Sequence, residues 1–296
     1  MKVIRTIEEL RAEIGHRRST VSGPVGLVPT MGFLHEGHGS LMQRAREMTG
    51  TVVLSIFVNP IQFGPGEDFE TYPRDEKRDL AVAESKGVDI VFIPEVQEMY
   101  PQPIKTKVAV SELTSLLCGA SRPGHFDGVT TVVNKLFNIV KPDFAFFGMK
   151  DAQQVAVLEQ MVRDLNMDVT IVPCPIVREE DGLALSSRNV YLNAEEREQA
   201  LVLSRSLNVA LEQLENGVTA TAGEVRRLLT EVISGAPMAK IDYAEVLTFP
   251  ELMPIDNEAR LAETGNDCIL ALAVRFGKTR LIDNALFQTK EGNPHV

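Results

Sequence analysis

Val25-Gly26-Leu27-Val28-Pro29-Thr30-Met31-Gly32-Phe33-Leu34-His35-Glu36-Gly37-His38 joins an apolar run directly to two histidines set three residues apart. The run reads as a buried strand, and the glycines and proline that follow read as a tight turn into a helix expected from about Ser40 to Met48. A helix opening presents free amides and the positive end of its dipole, so the turn predicts an anion site with imidazoles in it. Gly32, Gly37 and Gly39 are expected to leave room for a ligand to approach the backbone. His35 and His38 would lie on one side of the first turn and face the same phosphate group. Gly32 and Gly37 have the spacing of a Walker A loop, but His38 and Gly39 occupy the places of its Lys and Ser/Thr, so that motif fails. Zinc ligation by His35, His38 and His125 stays open on spacing alone.

Outward from this stretch, short apolar runs alternate with amphipathic stretches. Strands are expected at Val25 to Val28, Val52 to Val58, Ile90 to Ile93, Phe144 to Phe147 and Val169 to Val172, with helices near 40–48, 75–86, 129–140 and 151–165. That rhythm predicts an α/β, Rossmann-like, doubly wound parallel sheet, whose ligands sit beyond the carboxyl ends of the strands. The loops there are unusual: Asn59-Pro60-Ile61-Gln62-Phe63-Gly64, Gly148-Met149-Lys150-Asp151 leading to Gln153-Gln154, and Val177 to Asn189 with Ser186-Ser187-Arg188. Beyond Asn193, helices at Ala194 to Glu215 and Ala222 to Ser234 precede strands at Ile241 to Leu247, Cys268 to Phe276 and Arg280 to Ile282. Residues 1–184 are therefore expected to form the Rossmann-like domain. Residues 185–296 are expected to form a smaller α+β domain acting as a lid hinged near Asp181 to Asn189, with a frayed tail from Thr289.

Composition bounds the function. With 30 basic and 41 acidic residues the net charge is -11, which argues against a nucleic-acid surface and requires any anion site to be built locally. Cys118, Cys174 and Cys268 are scattered and form no CxxC pair, which suggests thiols packed in a reducing compartment. The N-terminus lacks an apolar signal core, and no stretch approaches the roughly 18 apolar residues of a bilayer span. A cytoplasmic protein without membrane or nucleic-acid partners is the expectation.

His35-Glu36-Gly37-His38 fits the HxGH signature of the nucleotidyltransferase superfamily, and Ser186-Ser187-Arg188 is similar to a degenerate KMSKS-type signature. Together with PTMGFLHEGH, FVNPIQFGPGED, Arg122-Pro123-Gly124-His125-Phe126, FFGMKDAQQ and DGLALSSRN in that order, the chain resembles the pantoate-β-alanine ligase family. The resemblance implies ATP-dependent joining of pantoate to β-alanine through an acyl adenylate, releasing AMP and pyrophosphate, with magnesium and a homodimer. It further implies that Met31, Gly32, Phe33, Leu34, His35, Glu36, Gly37, His38, Gly148, Met149, Lys150, Asp151, Val177, Leu185, Ser186, Ser187 and Arg188 line the ATP site. His38 is the matched proton donor; His35, Lys150, Ser186, Ser187 and Arg188 serve the phosphates. Gln62 and Gln154 match pantoate-binding positions and Gln62 also the β-alanine position, with Asn59 in support and Phe57 and Phe63 against the methyl groups of pantoate. No protein residue is assigned as a metal ligand. A related cytidylyltransferase, a tRNA synthetase, a zinc hydrolase and a noncatalytic nucleotide sensor are the competing readings. The first would call for more basic residues, the second for a basic RNA-binding domain.

Overall fold

The computed structural model describes residues 1–217 and 220–288; the tail expected to fray from Thr289 lies outside them. The chain divides into two compact units. The first comprises Met1–Ser111, Arg122–Met149 and Val157–Pro175, and the second Glu112–Ser121, Lys150–Ala156 and the chain from Ile176 onward.

Six parallel strands build the first unit: β1 (Lys2–Ile4), β2 (Val25–Thr30), β3 (Thr51–Ile56), β4 (Ile90–Phe92), β5 (Phe144–Gly148) and β6 (Thr170–Cys174). Their order is β1-β4-β3-β2-β5-β6, which reverses between β2 and β5. Along the chain these strands alternate with α1 (Ile7–Thr20), α2 (Glu36–Met48), α3 (Glu76–Ser85), α4 (Val96–Met99), α5 (Leu117–Ser121), α6 (His125–Val140) and α7 (Ala152–Asp164), of which α5 and the first residues of α7 fall in the second unit. Residues 51–55 are all buried, as expected of a strand covered on both faces. Val28, Leu54, Val91 and Phe146 from four strands pack with Leu41 and Met42 of α2 into one core.

The reversal point matters for function, because a crevice forms where neighbouring strands lead their connections to opposite sides. Here β2 pairs with β5 only at Gly26 and Leu27 but stays beside β3 as far as Thr30, so the Met31–His38 stretch leaves the sheet where β2 and β5 part.

In the second unit α8 (Ala194–Ala200), α9 (Val202–Glu215) and α10 (Ala222–Ser234) accompany an antiparallel sheet of β7 (Ala239–Thr248), β8 (Cys268–Phe276) and β9 (Thr279–Phe287). Leu270, Leu272 and Val274 of β8 pack with Leu207, Leu229 and Ile233 of the helices. The expected single helix at Ala194 to Glu215 is two, parted at Leu201. The last expected strand, at Arg280 to Ile282, runs on to Phe287. All three cysteines are buried and unbridged. No helix among the described residues is long and apolar enough to cross a membrane.

Candidate active site

The turn after β2 is shaped before it meets any ligand. Gly32 has φ +82°, a conformation glycine adopts without strain, and Phe33 follows at φ 51°. The strain is held by Asp79 of α3, which is 1% exposed and accepts the Phe33 amide at 2.8 Å and the Leu34 amide at 2.7 Å. Burial raises the Asp79 carboxyl above its ordinary range, against the pull of the Leu34 and Phe33 amides and the Arg78 charge. Arg78 lies 4.8 Å over the Phe33 ring.

Helix α2 begins at Glu36, four residues earlier than the periodicity predicts, which makes His35 the N-cap residue and His38 the third residue of the helix. His35 Nδ1 accepts the Gly37 amide at 3.1 Å, and His38 Nδ1 accepts the His35 amide at 3.3 Å. The rings lie 4.1 Å apart. A nitrogen that accepts cannot carry the proton, so each neutral imidazole holds its hydrogen on Nε2. The pair therefore offers two N–H donors beside a helix N-terminus, as an anion site requires. A side chain at Gly39 would meet Lys86 Cε at 2.8 Å, so its smallness also leaves room for the Lys86 side chain. Leu34 is fully buried in the core, so only its backbone is left to face a ligand, and Glu36 is paired with Lys86 at 2.8 Å.

The loop after β3 brings Gln62 against the turn after β2. Gln62 Nε2 donates to Met31 Sδ at 3.1 Å, while Gln62 Oε1 accepts from Asn59 Nδ2 at 3.0 Å. Asn59 is itself fixed, donating to Gly128 O at 3.2 Å and accepting from Tyr100 Oη at 2.8 Å. Phe57 is buried with its ring 6.1 Å from Tyr100, whereas Phe63 packs edge-on to Phe69 and Tyr72. A thioether is a weak acceptor, so the Gln62 amide is held in place yet readily surrendered to a carboxylate.

Helix α6 begins at His125, not near 129, and its first turn presses on this loop. A Cβ at Gly128 would stand 2.5 Å from Gln62 Cα and 2.5 Å from Ile61 O. Gly128→Ala is therefore expected to cost about 1–3 kcal/mol of stability by overpacking against backbone. Thermal unfolding checks it; an unchanged midpoint would mean that the close approach is easily relieved.

His125 does not join a zinc site. Its Nε2 lies 3.1 Å from Arg122 Nη1 and its Nδ1 2.9 Å from Gln62 O, so both ring nitrogens are engaged. Among the described residues no group of three or more His, Cys, Asp or Glu side chains is arranged to hold a metal.

The other motif residues belong to the second unit, apart from Gly148 and Met149. Lys150 Nζ lies 3.1 Å from Asp151 Oδ2, and Gln154 sits half-buried in the first turn of α7. Its neighbour Gln153 is structural, bonding the Cys118 amide and the carbonyls of Leu113 and Leu116. A Cβ at Gly148 would meet nothing within 4 Å. Val177 and Leu185 face each other across a short hairpin, the Leu185 amide donating to Val177 O at 3.0 Å. Gly182 at its tip has φ +96°. Ser186 then caps the 3-10 turn Ser187–Tyr191, accepting the Arg188 amide at 3.3 Å.

Sequence reading missed the dipeptide that joins these two stretches. Asp283 of β9 forks Arg178 at 2.6 and 2.9 Å at the base of the hairpin, and Asn284 donates to Lys150 O at 3.0 Å. One strand thus fixes both the lysine and the serine-arginine segment. Arg197 adds contacts of 2.6 Å to Glu179 and to Asp181.

A family model described as pantoate-beta-alanine ligase matches residues 2–286. The chain is 54% identical over 286 residues to the pantothenate synthetase of Pelotomaculum thermopropionicum, covering 97% of this chain and 99% of that one. It is similar to the crystal structure of pantothenate synthetase from Thermus thermophilus, with a TM-score of 0.87 and 46% identity over 96% of this chain and 99% of that one. A pantoate-beta-alanine ligase from Francisella tularensis, complexed with beta-gamma ATP and beta-alanine, aligns at a TM-score of 0.76 and 33% identity, covering 97% of each chain. A nearly full-length family match, and relatives this similar over the length of both chains, establish that the chain belongs to the pantoate-beta-alanine ligase family.

Proposed function

We propose that the chain condenses pantoate with β-alanine in two half-reactions, the first producing a bound pantoyl adenylate and pyrophosphate. The family gives the overall reaction, an ATP-dependent ligation. Chemistry supports the intermediate: a carboxylate is unreactive toward an amine until an oxygen becomes a good leaving group, and attack on the α-phosphate of ATP achieves this. The carboxylate oxygen forms a bond to phosphorus, the bond to the bridging oxygen breaks, and pyrophosphate departs with the electron pair. β-Alanine's amine then attacks the acyl carbon, AMP leaves, and the amine's surplus proton passes to solvent.

The observation that carries this reading is the pair of Nε2–H donors on His35 and His38 at the opening of α2. Fixed donors aimed at oxygen atoms that gain charge stabilise such a transition state without reorganising. We assign His38 and His35 to the phosphates, with the Met31–His38 backbone, Gly148, Met149, Val177 and Leu185 holding the nucleotide. Lys150, Ser186, Ser187 and Arg188 neutralise the triphosphate, and Asp151 orients Lys150. Gln62 and Gln154 bind pantoate, Gln62 also β-alanine, with Asn59 and Phe57 supporting them. ATP would be used as its magnesium complex, the cation supplying charge neutralisation to the phosphates beside Lys150 and Arg188. The resemblance of the sequence to the family supports a homodimer, and buried, unbridged thiols suit a cytoplasmic setting.

Labelled pyrophosphate should enter ATP when pantoate and magnesium are present and β-alanine is absent. Label that enters only after β-alanine is added, or that appears in ADP, would exclude the adenylate route.

A further inference from the structure

The motif Arg122-Pro123-Gly124-His125 has no part in the chemistry above, yet its side chains close a ring on the substrate loop. Gly124, at φ +81°, turns the chain into α6, so that His125 and Gly128 lie on one helix face against Gln62. A guanidinium only donates, so His125 Nε2 accepts from Arg122 Nη1, and Nδ1 must carry the hydrogen that it donates to Gln62 O. The other edge of Arg122 is forked by Glu67, with Nε to Oε1 at 2.7 Å and Nη2 to Oε2 at 2.6 Å. Glu67 Oε2 also accepts the Gly64 amide at 3.1 Å. Burial opposes the Glu67 charge, but Arg122 and the Gly64 amide more than offset it and hold the carboxyl below its ordinary range.

We infer that Glu67, Arg122 and His125 are positioning residues that set Gln62 for the acid substrate and leave ATP handling alone. The inference rests on the assignment of Gln62 to pantoate. Gln62 O, His125, Arg122, Glu67 and Gly64 N form a continuous circuit that pins both ends of the Gln62–Gly64 segment. The Gln62 amide projects from the pinned end, its Oε1 held by Asn59 and its Nε2 donating to a thioether, a weak acceptor. Asn59 fixes one end of the amide, so its aim depends jointly on Asn59 and on where the main chain beneath it sits, and a small misplacement at a substrate contact costs binding out of proportion to the bond lost.

The test compares kinetics in four variants, with thermal unfolding as a control. His125→Ala should raise the pantoate KM about 10-fold and leave the ATP KM within about 2-fold, the size expected from one displaced hydrogen bond. His125→Asn, whose amide can donate from nearly the position of Nδ1, should recover most of the pantoate KM. Glu67→Gln, at the more exposed end, should raise the same constant by less. Gln62→Ala tests the underlying assignment: an unchanged pantoate KM there removes the substrate reading itself. If Gln62→Ala impairs pantoate use while both His125→Ala and Glu67→Gln stay at wild-type KM, the relay is refuted and the assignment survives. Equal losses for ATP and pantoate, or a lowered melting point with unchanged KM, would likewise make the circuit a scaffold only.

Discussion

Replacing His38 with alanine is expected to lower pantoate-dependent exchange of pyrophosphate into ATP by about 10²-fold or more, the usual cost of one preorganised donor at a charged transition state. His38 also accepts the His35 amide, so the variant loses a helix cap worth about 1 kcal/mol. That stability effect is small beside the catalytic one, and a second variant separates them. His38→Asn keeps an acceptor close to the Nδ1 position but removes the Nε2–H donor, so it should regain stability and stay slow. Exchange at a near-normal rate in folded His38→Ala protein would take His38 out of the first half-reaction.

Asp79→Ala is expected to damage both stability and ATP binding. It strips the acceptors from two amides, and each buried donor left unsatisfied costs about 1–3 kcal/mol. The loss falls on the amides of Phe33 and Leu34, and Phe33, at φ 51°, has little reason to keep that shape unaided. Asp79→Asn should be only partly better, since one half of an amide presents N–H groups to an N–H. Urea unfolding and calorimetric titration with ATP check this; wild-type ATP affinity in Asp79→Ala would mean that the turn holds itself. The pH dependence has a definite sign. The Asp79 carboxyl is raised in the folded chain, so between its unfolded and folded values the native state binds the extra proton and this contribution to stability declines as pH rises. Glu67 behaves oppositely: its carboxyl is lowered, so its contribution is present above the unfolded value and lost as pH falls through the folded one.

Nothing in the sequence around Asp79 marks its role. It lies 46 positions from Phe33, on a helix whose pattern marks it as one more polar residue. The same holds for Asp283, 105 positions from Arg178, and for Glu67, 55 positions from Arg122. Polar partners that meet only after folding leave no period in the sequence. Apolar runs do: β2 to β6 and α10 are readable because burial on a sheet or helix face repeats with the geometry of the element. β1 and α1 are not, since β1 has three residues and α1 buries only Leu10 and Ile14 in an otherwise charged helix. The start of α2 was misread because His35 is a poor N-cap by habit, and Gly37 and Gly39 look like helix breakers. The same residues that hid the helix start are those that make it an anion site.

The second unit takes residues 112–121 and 150–156 from inside the span of the first, so the chain passes from one unit to the other five times before residue 177. During synthesis these two pieces emerge from the ribosome well ahead of the strands at 239–287 with which they are grouped. All of the parallel sheet has been made by Cys174, whereas the second unit must wait for the strands that run from Ala239 to Phe287. Lys150 thus belongs to a part of the enzyme completed well after the parallel sheet, because the partner of its carbonyl, Asn284, is translated 134 residues later.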